Sequence, residues 1–213
     1  MKTFKRFLRE RKLPTLQSLI EKDCTDFLIQ SKGAGFFARG INTFRRDSIK
    51  VTLNKKEITI YRIPVRQDRK PKDSGMDVTK NFNAIAKKKF GWEPRTSGLF
   101  VYPHNVNVGN NSASSLYGEP FIAIPIGKFK YVWSPNVNDF ITHESSFKDT
   151  NTAIEREMYF DHLEYTDSNL EKFLKLTEVR EAMIGCANYY AIPFKHFNDL
   201  AEMFPNIEIN TLK

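Results

Sequence analysis

Arg39 stands in an apolar stretch, residues 36–41 (FFARGI), and Gly40 follows it. A guanidinium in a buried strand is costly unless an anion meets it. That anion is either a core-edge carboxylate in a structural ion pair or a diphosphate gripped by the guanidinium fork. Gly40 lets a ligand come close to the backbone. Glu181 opens a second apolar run, EAMIGCANYYAI. A carboxylate there either projects into a cleft or simply ends the strand in water. Between the two lies the segment 96–118, TSGLFVYPHNVNVGNNSASSLYG. It brings the hydroxyls of Thr96, Ser97, Ser112, Ser114 and Ser115 near the rings of Phe100, Tyr102 and Tyr117. Hydroxyls orient carboxylates, and rings stack on flat ligand groups. Long loops are also rich in both residue types for no chemical reason.

The common signatures are missing from the sequence: GxGxxG, GxxxxGK[ST], HExxH and GxSxG do not occur. The four histidines, His104, His143, His162 and His196, have no metal-ligand spacing, and no metal is expected. A basic block holds Arg66, Arg69, Lys70 and Lys72. It either contacts phosphates of a nucleotide or nucleic acid, or is a solvated loop that Asp68 and Asp73 partly neutralise. No aromatic RNA-binding motif or basic recognition helix accompanies it.

These residues need elements to hold them. Thr15 caps a helix expected from 16 to about 30, with Leu16, Leu19, Ile20, Cys24, Phe27 and Leu28 as its apolar stripe. Strands are expected at 36–41, 57–65, 98–102, 121–126 and 130–133, and a single long one at 182–192. Helices are expected at 76–90 (stopped by Gly91), 152–160, 168–176 and 194–203, with a helical turn at 113–117. Strands and helices do not strictly alternate, which points to an α+β fold. Residues 1–14 form a basic segment, with Phe4, Phe7 and Leu8 on one face, and residues 15–213 a single domain.

Composition bounds the rest. With 213 residues and 40% hydrophobic content, the chain can build its own core. Cys24 and Cys186 sit in apolar patterns, so both read as buried small hydrophobes from a reducing compartment. No apolar run approaches the ~20 residues of a membrane helix, so a soluble protein with no membrane partner is expected. Residues 1–102 carry 24 Lys and Arg against 10 Asp and Glu, whereas residues 103–213 carry 9 against 15. This asymmetry suits an anionic partner or a solubilising basic face.

The blocks FFARGI (36–41), VRQDRKPKDS (65–74), KKFGWEPRTSGLF (88–100), LYGEPFIAIPIGKFKYVWSP (116–135) and EAMIGCANYY (181–190) resemble uncharacterised proteins of tailed bacteriophages. Their order is also similar, at a distance, to the ADP-ribosyltransferase fold. That fold has an aromatic–Arg–Gly strand, a Ser/Thr strand with an Ala-x-x-Tyr-Gly-like turn, and a strand led by a catalytic Glu. The resemblance implies a split β-sheet core with flanking helices and NAD as cofactor. It implies Glu181 as the catalytic residue. The NAD-binding residues would be Arg39, Gly40, Phe100, Tyr102, Ser114 and Tyr117. Departures are visible: Tyr102-Pro103 stands where a Ser or Thr belongs, and Val179 stands two before Glu181 where arginine-modifying enzymes have a second Glu. Two roles follow. One is transfer of ADP-ribose to a host protein or nucleic acid in the host cytoplasm. The other is a non-enzymatic virion protein of head, core or connector that contacts DNA or other virion proteins through the basic half.

Overall fold

The computed structural model describes residues 13–42, 47–70, 74–105 and 118–204. Thr15 does cap the first helix, accepting from the Ser18 backbone N–H. That helix does not run on to residue 30. It breaks at Cys24 into α1 (Leu16–Asp23) and α2 (Thr25–Ser31). Cys24 has φ of −118°, outside helical geometry, and its side chain is fully buried. The bend lets Leu16, Ile20 and Phe27 reach one core from two directions.

β1 (Phe37–Ile41) is followed by a strand the periodicity reading missed, β2 (Asp47–Leu53). β2 forms a hairpin with β3 (Lys56–Pro64) through Asn54 and Lys55, both at positive φ. Such a two-residue turn matches the twist of paired strands. α3 (Met76–Phe90) ends where expected, on Gly91 with φ of 76°. A short helix, α4 (Pro94–Ser97), then leads into β4 (Leu99–Pro103). β5 (Glu119–Ile126), β6 (Lys130–Trp133), a 3₁₀ turn (Phe140–His143), α5 (Glu144–Lys148), α6 (Ala153–His162) and α7 (Leu170–Leu174) follow.

The long strand expected at 182–192 is two strands, β7 (Ala182–Gly185) and β8 (Asn188–Pro193). They reverse at Cys186–Ala187 and join different parts of the sheet. α8 (Phe197–Met203) closes the described chain. Among the described residues the sheet has eight strands in the order β2-β3-β8-β5-β1-β4-β7-β6, with every pairing antiparallel. With its helices this is an α+β fold.

Helices cover the sheet on both faces. α1, α2 and α7 pack with Phe37, Val101, Ala182 and Ile184 in the larger core. α3, α5 and α6 pack with Val132 and Met183 in the smaller one. Phe82 anchors the smaller core, its ring centroid 4.9 Å from Phe140 and 5.0 Å from Phe160. No described helix is long and apolar enough to cross a membrane.

Candidate functional site

Three neighbouring strands, β1, β4 and β7, carry the residues singled out for chemistry. β1 and β4 pair only at Phe37↔Pro103 and Ala38↔Tyr102. The ladder ends there, so the two strands separate at Arg39. On its other side β4 pairs with β7 from Leu99↔Ile184 to Val101↔Ala182. One step further in that register brings Glu181 beside Tyr102. Arg39 and Glu181 therefore flank β4 near the same level, about 10 Å apart at the backbone for two strand spacings.

Arg39 is half-buried, and its Nε donates to the Gly40 carbonyl at 3.2 Å. Alternation along β1 starts its side chain on the Phe37 and Ile41 side. Glu181 shares its face instead with Phe100 and Met183. Its backbone N–H donates to Asn138 O at 3.0 Å, which fixes the mouth of β7. The residue is half-buried, and among the described residues its carboxyl has no hydrogen bond and no cation within ion-pair distance.

Burial, with Asp139 nearby adding like-charge repulsion, pushes the Glu181 carboxyl from its ordinary 4.5 up to about 8, against the pull of Arg95 and Arg69. Burial raises the Tyr165 phenol, and the nearby Glu181 carboxyl raises it further.

Arg69 comes from the basic loop after β3. Its backbone N–H donates to Thr96 O at 2.9 Å and its Nη1 to Gly98 O at 3.3 Å. The guanidinium lies over the Phe100 ring, 4.4 Å from the centroid. Its pKa is lowered by burial first, then by the nearby Arg39 cation, while Glu181 pulls the other way. Arg69 is thus the group on which Arg39 and Glu181 both act.

Sequence reading passed over Arg95. It looked like one charge in a short polar segment, and no periodicity marked it. In the fold it is 91% buried within α4. Its backbone N–H donates to Asn83 Oδ1 at 3.0 Å, and Nη2 donates to Ser74 Oγ at 3.3 Å. Nε and Nη1 are buried with no hydrogen-bond partner. The guanidinium packs against Phe140 at 4.6 Å, Phe100 at 5.5 Å and Phe82 at 5.7 Å from the ring centroids. Two guanidinium groups therefore share the Phe100 ring beside an unpaired carboxyl.

Other candidates fall elsewhere. Gly40 is buried in β1, facing Pro120 of β5. Tyr102 is buried in β4. Arg66 and Lys70 are exposed, and Arg66 sits 3.8 Å from Asp68. Lys72, Ser114 and Tyr117 lie outside the described residues. Glu178 is exposed and paired with Arg180 at 3.0 Å. His104 is a core residue, its ring stacked 4.9 Å from Phe197 and its Nδ1 accepting from the Phe36 N–H. Burial pushes it down to about 4, so it is neutral at pH 7. Cys24 and Cys186 are buried thiols, both raised to about 12, chiefly by desolvation.

No family model, curated protein or solved structure matches the chain. The fold and site define an α+β protein in which two guanidinium groups share an aromatic ring close to a carboxyl.

Proposed function

We propose that the chain is a phage-encoded protein of ADP-ribosyltransferase-like fold that binds NAD beside β4. It then transfers ADP-ribose to a host protein or nucleic acid. The observation that carries this reading is Glu181 at the mouth of β7, on the face of the sheet where Phe100 carries Arg69 and Arg95. Arg39 and Glu181 also act electrostatically on Arg69.

In the reaction the C1′–N bond of the nicotinamide riboside breaks. Nicotinamide leaves with the bonding electrons, and positive charge builds on the ribose ring, as in glycoside cleavage. Ionised Glu181 stabilises that charge and holds a ribose hydroxyl. Arg39 holds a phosphate, and Phe100 packs against a flat ring of the ligand. A nucleophile of the acceptor then bonds to C1′ and gives up its proton.

Ionised Glu181 is the competent form, so nicotinamide release from NAD rises with pH until about 8 and then levels. The direct test incubates labelled NAD with host lysate and compares wild type with Glu181→Ala. Label transfer or free nicotinamide from the wild type, reduced at least 100-fold in the variant, is the expected result. Neither product from either protein would sink the reading.

The net charge of +8 favours a second reading, a virion protein that contacts DNA or other virion proteins. Multiple copies of the chain in purified particles, with no NAD cleavage, would support it instead.

A further inference from the structure

We propose that Arg95 and Arg69 together form a receptor for a phosphate group, set on the Glu181 side of β4 and not on Arg39's strand. The proposal rests on the nucleotide-binding reading given above, and names the groups that grip the phosphate of the ligand that Arg39 does not hold.

The argument begins with what Arg95 lacks. A guanidinium has five N–H donors, and desolvating it without acceptors is costly. Ser74 supplies one acceptor, yet Nε and Nη1 have none and are shut from water. Ring faces offset part of the cost but accept no directional hydrogen bond there.

The nearby carboxylates do not make good the loss. Arg95 is within electrostatic range of both Glu144 and Glu181. Glu144 is engaged by the Gly75 N–H at 2.7 Å and by Lys148 at 2.8 Å. Neither carboxylate forms an ion pair with Arg95 among the described residues. Arg69 brings a second cation to the same Phe100 ring, which repulsion opposes unless an anion sits between them. A phosphate meets these needs, since its several oxygens accept from two guanidinium groups at once.

α4 is built to present this pair. Arg95 is its second residue, and the helix is clamped by Asn83 Oδ1 to α3 and by the Arg69 backbone to the loop after β3. These contacts fix the backbones of Arg95 and Arg69 before a ligand arrives.

The test is isothermal titration of the full chain with pyrophosphate, ADP-ribose and adenosine, using wild type, Arg95→Met and Arg69→Gln. Urea unfolding of each protein accompanies it. Pyrophosphate and ADP-ribose should bind the wild type, and adenosine should bind far more weakly. Both variants should bind the two phosphate ligands about 10- to 100-fold more weakly. Arg95→Met should unfold at an equal or higher urea concentration, because it removes a buried charge with no partner. If Arg95→Met loses its fold, Arg69→Gln reads the same receptor from a half-exposed position.

Wild type that ignores pyrophosphate and ADP-ribose, or variants that bind them as the wild type does, would overturn the proposal. Phosphate binding that depends on Arg95 without any nicotinamide release from NAD would keep the receptor and remove the ADP-ribosyl reading. NAD cleavage that is equal in wild type and Arg95→Met, with no pyrophosphate binding, would do the reverse.

Discussion

A carboxyl that keeps its proton to about pH 8 makes folding itself depend on pH. In the unfolded chain Glu181 releases that proton near 4.5, the ordinary value. Between these limits unfolding therefore releases a proton, and stability falls as pH rises through the window. Glu181→Gln has no proton to lose. Its urea midpoint should gain on the wild type as pH goes from about 5 to 8, with the gap constant above that. Equal pH dependence of the two proteins would mean that Glu181 is solvated after all. His104 acts on the acid side with the opposite shift. It is held neutral to about pH 4, so stability is lost as pH falls from 6.5 towards 4, a loss that Glu181→Gln leaves in place. At this scale the sequence drew attention to a charge inside an apolar run, Arg39, and to one at the head of another, Glu181. Arg95 gave no such signal, because its burial comes from Phe82, Phe100 and Phe140, drawn together from α3, β4 and the turn after β6.

Elements explain why the site has its shape, and one glycine shows how closely they fit. A Cβ on Gly98 would lie 2.2 Å from the Pro94 carbonyl oxygen and 3.4 Å from Met183 Cβ. The first neighbour is backbone, so α4 would have to shift away from β4. Arg95 would move with it, and so would the Gly98 carbonyl that anchors Arg69. Gly98→Ala should therefore cost roughly 1–3 kcal/mol in urea unfolding. It should also weaken ADP-ribose binding in titration, although no ligand-facing side chain has changed. An unchanged midpoint would show that α4 yields freely.

Isolated elements were the easy part of the sequence to read: α3 carries a clear helical stripe and a stop at Gly91. The run 182–192 hid its reversal, because β7 and β8 are both interior strands and strands buried on two faces show no alternation. β2 was readable in principle, since Ile49, Val51 and Leu53 alternate before Asn54. The break at Cys24 leaves no mark, because both halves keep one apolar stripe.

At the scale of the whole molecule, the basic and acidic halves of the chain do not form two lobes. Strands from the first half (β1 to β4) interleave in the sheet with strands from the second (β5 to β8). Ion pairs cross between the halves: Lys32 with Glu171, Lys88 with Glu157 and Lys89 with Asp161. Exposed pairs of this kind contribute little stability, but they neutralise the basic surface locally. The charge asymmetry along the chain is thus largely mixed away in the described body. Lys2, Lys5, Arg6, Arg9, Arg11 and Lys12 keep six cations close together in sequence.

If nucleic acid is a partner, this segment should account for most of the attraction. Changing all six to Ser in the full chain should weaken retention on duplex DNA at low salt. The dependence of affinity on salt should become shallower, because fewer counterions are displaced on binding. ADP-ribose binding should stay as in the wild type, since the proposed site lies in the folded body. Retention that survives these six changes but falls with Arg66→Ser and Lys70→Ser would move the nucleic-acid contact to the basic loop beside the proposed site. A protein that binds DNA through that loop would bring its acceptor to the same face as Glu181.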